Sequence, residues 1–286
     1  MFQRIVVFLD HLAPDQGAFA RALDWASCFR LSIQALLPRA TCRLGGGQAQ
    51  LEGKARSERD AAVVESCAMV CRDRHVALEV AYRHESLARD GPFSLVPSDL
   101  LVLGARMTAA EKKRWLRWPM RDRGPAVLFC PDVHEPWSRV LVVDDNRPHH
   151  QEFLTASVEL GRLCQAKPVI LTVARSEKAA WQRQLETQQA LADRGLSCDH
   201  DIIVGAEMRT AVAQVAQWRR CQGIIVERQA APPWWHWWQS GTTEKLVGLT
   251  NAFSFLALPR TDGLASSLTS SLPAPCVSRE LSPRPF

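Results

Sequence analysis

The chain has 286 residues, 47% apolar and 23% charged, with a formal charge of +5, ordinary figures for a soluble globular protein. No run approaches the roughly 20 apolar residues needed to cross a bilayer, and the N-terminus lacks a signal peptide's apolar core, so a cytoplasmic location is expected. The nine cysteines include no CxxC pair; Cys67/Cys71 and Cys198/His200 have metal-ligand spacing, but buried reduced thiols are the reading adopted, with no metal site.

The first strand is expected at residues 4–9, where Arg-Ile-Val-Val-Phe-Leu runs into Asp10. Pro14 and Asp15 open a helix with Phe19, Leu23, Ala26 and Phe29 at helical spacing. A second strand follows at 31–37, then the Gly45–Gly47 loop and a long helix over 51–73 carrying Val63, Val64, Cys67, Val70 and Cys71 on one side. The third strand is expected at 76–82, and Pro92 and Pro97 truncate whatever helix occupies 85–98. The fourth strand is 100–103, ending at Gly104; a basic helix at about 109–121 and a fifth strand at 126–130 close this part of the chain.

Arg139–Asp145 then repeats Arg4–Asp10: a basic residue, a β-branched run and an acid. The same order of elements follows: a strand at 139–144, a helix at 149–165, a strand at 169–173, a helix at 177–194 stopped by Gly195, and a strand at 198–204. A helix over 206–220 places Ala211, Val212, Val215 and Trp218 on one face; strands at 223–226 and 253–258 flank a helix at 241–250. A repeat of half the chain means two domains. The expected division is domain 1 over 1–131, a polar linker over 132–138 built on Asp132, Glu135 and Pro136, domain 2 over 139–259, and a disordered tail over 260–286. The fold class is α/β, with two tandem open, mostly parallel five-stranded sheets, helices on both faces, and packing through strands 126–130 and 253–258.

Two such units, together with Leu100–Gly104 and Thr243-Glu244-Lys245-Leu246-Val247, resemble a tandem universal stress protein, of the adenine-nucleotide alpha hydrolase-like fold. The resemblance covers residues 1–259. It implies a non-catalytic stress-response or regulatory binding module acting through protein–protein contacts; the alternative it implies is an ATP-binding, slowly hydrolysing switch using the second unit. One subgroup of that family binds ATP through Gly-x2-Gly-x9-Gly-Ser/Thr after strand four and the Asp ending strand one. The carried-over positions are Asp10, Gly104, Asp145, Ser240, Gly241 and Thr242. The glycines matter because backbone N–H groups must approach phosphate closely. Both copies depart from the pattern. Met107 stands at the second Gly and Arg117-Trp118 at the Gly-Ser of the first copy; Glu227 and Ala230 replace the glycines of the second, with Ser240-Gly241 reversed. No cofactor is therefore expected, ATP being the alternative.

Val142–Asn146 also resembles the start of a response-regulator receiver, but no phosphoacceptor Asp ends the third strand and no Lys the fifth. Asp144 is read instead as a turn or helix-cap carboxylate, and His149-His150 as surface residues near a helix start. No nucleophile motif is present, so no enzyme activity is expected.

Between Gly104 and Gly124, seven basic residues face only Glu111 and Asp122, which accounts for the chain's whole charge excess. Six of ten tryptophans follow the two fourth strands: Trp115 and Trp118, then Trp234, Trp235, Trp237 and Trp238. They are read as an interaction surface for a protein partner or a second copy. The alternatives are rings filling the emptied nucleotide groove or packing between the units; nucleic acid or lipid ranks below both.

Overall fold

The computed structural model describes residues 2–9, 17–38, 47–83, 95–104, 107–117, 124–144, 150–228 and 242–259. The strands are β1 (Arg4–Phe8), β2 (Ser32–Pro38), β3 (Leu78–Arg83), β4 (Asp99–Gly104), β5 (Ala126–Cys130), β6 (Arg139–Asp144), β7 (Lys167–Ala174), β8 (Asp199–Val204), β9 (Gly223–Glu227) and β10 (Ser254–Leu258). The helices are α1 (Gly17–Phe29), α2 (Gly47–Asp73), α3 (Ala109–Arg117), α4 (Gln151–Leu163), α5 (Glu177–Ala192), α6 (Met208–Trp218) and α7 (Thr242–Leu246).

The strands form one sheet in the order β3-β2-β1-β4-β5-β10-β9-β6-β7-β8. The expectation of two separate five-stranded sheets is corrected here. All pairs are parallel except β5 with β10, which run antiparallel with Phe129 opposite Phe255 and Leu128 opposite Leu256. Each last strand would otherwise leave an open edge of unpaired N–H and C=O groups, and each covers the other's. The contact through 126–130 and 253–258 is as expected; its consequence is a single sheet. Each half has the same internal order, 3-2-1-4-5 and 8-7-6-9-10 in whole-chain numbering. Every residue of β5 and β10 is buried, as double-sided burial of a central strand requires.

One face of the sheet is packed by α1, α2 and α4, with Phe19, Trp25 and Phe153 in its core; the other holds Leu116, Val212, Val215 and Leu246. Trp218 corrects its expected place on the buried face of α6. It is 70% exposed, with the Arg219 guanidinium 4.7 Å from its ring centre. The helix expected at 241–250 is α7 followed by a 3-10 turn, Val247–Asn251. Gly248 and the β-branched Val247 and Thr250 weaken helix there, and Thr250 Oγ1 donates to the Val247 carbonyl at 2.8 Å.

The segment over 132–138 is not simply polar. Trp137 is buried edge-to-face on Trp25 at 5.1 Å, and the Arg21 guanidinium lies 5.4 Å from its ring centre and donates to the Glu135 carbonyl. A Cβ on Gly223 would stand 2.5 Å from that indole. Lys112, counted in the sequence among the seven basic residues between Gly104 and Gly124, lies inside the structure. It is 3% exposed and donates to Thr250 Oγ1 and Asn251 Oδ1, both at 2.8 Å, tying the first half to the second. Burial lowers its pKa. Among the described residues, no helix is long and apolar enough to cross a membrane.

Candidate functional site

In an open α/β sheet the natural crevice lies beyond the carboxyl ends of strands where the winding direction reverses. Here there are two such points, between β1 and β4 and between β6 and β9.

At the second, β6 ends in Asp144, which is 0% exposed. Its Oδ2 accepts from Thr172 Oγ1 on the adjacent strand at 3.1 Å and from Arg183 Nε on α5 at 3.2 Å. Thr172 Oγ1 also lies 2.8 Å from His200 Nε2 on β8. A hydroxyl has one proton, and Thr172 gives it to the carboxylate, so His200 Nε2 must be the donor. That sets the Nε2–H tautomer, and burial lowers the His200 pKa although Asp144 and Asp201 pull it up. Beside it Asp201 accepts from Arg219 Nε and Nη2 at 2.8 and 2.5 Å.

On the crevice side, His150 begins α4 and is 1% exposed. Its Nδ1 lies 3.9 Å from Asp144 Oδ1 and 3.7 Å from Glu227 Oε2 at the end of β9. The expectations for Asp144 and His150 are both corrected. Asp144 is a buried strand carboxylate rather than a cap, and His150 is a core side chain stacked edge-on against Phe153 at 4.6 Å. Just beyond, Thr243 Oγ1 donates to the Glu227 carbonyl at 2.8 Å and hooks α7 onto β9. Among the described residues, no group of three or more His, Cys, Asp or Glu is placed to hold a metal ion.

At the first point, Gly104 ends β4 half-buried, and a Cβ there would meet no described atom within 4 Å. Trp115 is half-buried, its ring 4.9 Å from that of Phe8 at the end of β1. Of the other expected site residues, Thr242 opens α7, its side chain not described. Asp10, Asp145, Ser240, Gly241, Trp118, Trp234, Trp235, Trp237 and Trp238 lie outside the described residues.

The sequence reading missed Thr172 and Arg183, took His200 only as a metal-ligand spacing with Cys198, and used Thr243 only among the residues that carry the resemblance. A signal was present: laying the second copy on the first in strand register, Arg139 on Arg4, brings Asp144, Thr172 and His200 onto Leu9, Leu37 and Val80. Polar residues at apolar positions of a repeat mark where the halves diverge.

An open doubly wound α/β sheet made of two like halves is the class the geometry defines. Among solved structures, a universal stress protein from Archaeoglobus fulgidus DSM 4304 superimposes with a TM-score of 0.62 at 14% identity, over 90% of this chain and 97% of that one. A putative universal stress protein from Pseudomonas aeruginosa UCBPP-PA14 gives 0.58 at 14%, over 93% and 96%. A functionally unknown protein from Pseudomonas aeruginosa PAO1 gives 0.57 at 14%, over 93% and 95%. No protein-family model and no curated protein matches the sequence. The fold is that of universal stress proteins.

Proposed function

We propose that this chain is a cytoplasmic, non-catalytic regulatory module of the universal stress type that works by binding a protein partner or a second copy of itself. In this reading it is two domains, 1–131 and 139–259, joined by 132–138 and followed by a tail over 260–286. The observation that carries the reading is Glu227. It stands where a phosphate-binding loop would have its first glycine, with a side chain 12% exposed and 3.7 Å from His150 Nδ1, which itself lies 3.9 Å from buried Asp144. Two carboxylates close to the bed of a triphosphate oppose it, and Arg183 is committed to Asp144. Trp115, Trp118, Trp234, Trp235, Trp237 and Trp238 form the partner surface.

Calorimetry with Mg-ATP should give affinity weaker than micromolar. Micromolar binding lost in Asp145→Ala would replace this reading with the ATP switch, engaging Asp10, Gly104, Asp145, Ser240, Gly241 and Thr242. Replacing Trp234 and Trp235 by Ser should reduce self-association or partner capture while leaving Tm nearly unchanged. A loss of several kcal/mol instead would place those rings in a core.

A further inference from the structure

All seven described cysteines are thiols, and two of them meet where the halves touch. Cys28 lies near the end of α1 and is exposed; its Sγ donates to the carbonyl of Leu163, the last residue of α4, at 3.3 Å. The next residue is Cys164, half-buried. In a trans peptide a carbonyl oxygen sits about 2.8 Å from the following α-carbon. The Cys28 sulfur is thus within about 6 Å of the Cys164 α-carbon, and the two thiols are near enough to act on each other electrostatically.

We propose that Cys28 and Cys164 form a peroxide-driven disulfide that clamps the two halves of the chain together. The contact is between halves: α1 belongs to the β1–β5 side of the sheet and α4 to the β6–β10 side. The two thiols differ in the way such a pair needs. Cys28 meets solvent and takes the first oxidation. Burial drives the Cys164 thiol up, with Arg21 opposing this, so it stays protonated until Cys28 has reacted. The Cys28 thiolate attacks a hydroperoxide oxygen, breaking the O–O bond and leaving a sulfenic acid. For hydrogen peroxide the leaving hydroxide takes up a proton and departs as water. Cys164 Sγ then attacks the Cys28 sulfur, forming the S–S bond and expelling a second water that carries the Cys164 proton. Two thiols lose two electrons and one peroxide gains them.

The test is peroxide treatment of the full chain followed by non-reducing peptide mapping. The expected product is a Cys28–Cys164 linked peptide, absent from Cys28→Ser. The oxidised chain should melt several degrees higher than the reduced one, because the closed loop spans nearly half the sequence. In Cys164→Ser the Cys28 sulfenic acid should persist and be captured by dimedone, a label the native chain carries only weakly. Cys28 bridged to Cys42, Cys276 or a second chain, overoxidised without pairing, or unreacted under conditions that oxidise a free thiol peptide would each overturn the proposal. Cys28 is exposed, so its Ser variant folds and the mapping stays interpretable.

Discussion

The two halves share strand order and register yet fill one corner of the fold in opposite ways. In the first half Leu9, Leu37, Val80 and Val63 belong to or pack against a single apolar cluster. In the second half the same register positions hold Asp144, Thr172 and His200, and aligning α5 with α2 through the residues that follow them, Gly195 with His75, sets Arg183 on Val63. Four apolar residues have thus become a connected set of four polar ones. The set holds together because Arg183 and Thr172 donate to Asp144 and His200 donates to Thr172. A buried ion pair is weak evidence for stability, since desolvation offsets much of the attraction. The polar corner is better explained as a part that orients the crevice, bringing Asp144 and Glu227 to either side of His150.

The largest effect should come from breaking that set in one place. Asp144→Ala removes the buried carboxylate to which both Arg183 and Thr172 donate. Arg183, 11% exposed, keeps an ion pair with Glu186 at 3.7 Å, so the cost in urea unfolding should be about 2–4 kcal/mol. Converting the whole corner to the first half's residues, Asp144→Leu with Thr172→Leu, His200→Val and Arg183→Val, should recover most of that loss. A quadruple variant no better than Asp144→Ala would mean the two corners are not interchangeable and that the register equivalence is only formal.

A second contrast lies at the other end of the strands, where Gly223 corresponds to Leu100 and Trp137 to Phe2. The Trp137 indole occupies the space a side chain at 223 would need. Gly223→Ala should therefore cost about 1–3 kcal/mol by overpacking. An unchanged midpoint would show that the Trp137 segment moves aside freely.

Much of this was legible in the sequence, and what was not has definite causes. Strands buried on both faces are continuous apolar runs, so β4, β5, β6 and β9 stood out to within a residue or two. Partnered polar groups carry no such signal. Asp144 next to Asp145 looked like turn chemistry, and Lys112 between Glu111 and Lys113 counted only as one charge of a basic run. Only tertiary contacts from distant segments reveal them as interior. Trp218 failed for the opposite reason: helical spacing put it on the apolar face, but it lies at the last residue of α6, past the end of the packed surface. In the crevices, Gly104 and Glu227 end equivalent strands, but the contact between Glu227 and His150 was hidden because local pattern assigned His150 to the surface.

The pH response should separate the corners again. His200 has a folded pKa below its ordinary 6.5, chiefly because it is buried. The unfolded chain then binds more protons as pH falls below 6.5, so stability present at neutral pH is lost progressively toward the folded value. Asp144 from β6 and Asp201 on its own strand oppose the shift. Arg183 from α5 is engaged by Asp144, and Arg219 by Asp201. Unfolding midpoints between pH 7.5 and 5 should fall more steeply for the native chain than for His200→Gln. Equal slopes would assign the dependence to another group.

The smallest expected effect tests whether the halves are equivalent where their chemistry is the same. Arg30 after α1 and Gln165 after α4 occupy the same place in the repeat, and both are left-handed, with φ of 55° and 58°. Each closes its helix alike: Leu31 N–H donates to the Ala26 carbonyl at 2.9 Å, and Ala166 N–H to the Gly161 carbonyl at 2.8 Å. Such a cap usually takes glycine, because an L side chain in that conformation costs roughly 1–2 kcal/mol. Sequence reading saw only Gly195, since arginine and glutamine give no hint of a left-handed residue. Glycine at either site relieves the strain but also loosens the unfolded chain, which returns part of the gain. Arg30→Gly and Gln165→Gly should therefore each raise stability by about 0.5 kcal/mol, and the double variant by about 1 kcal/mol if the sites act independently. A gain at one site with a loss at the other would show that the halves differ even in their backbone, not only in the polar corner.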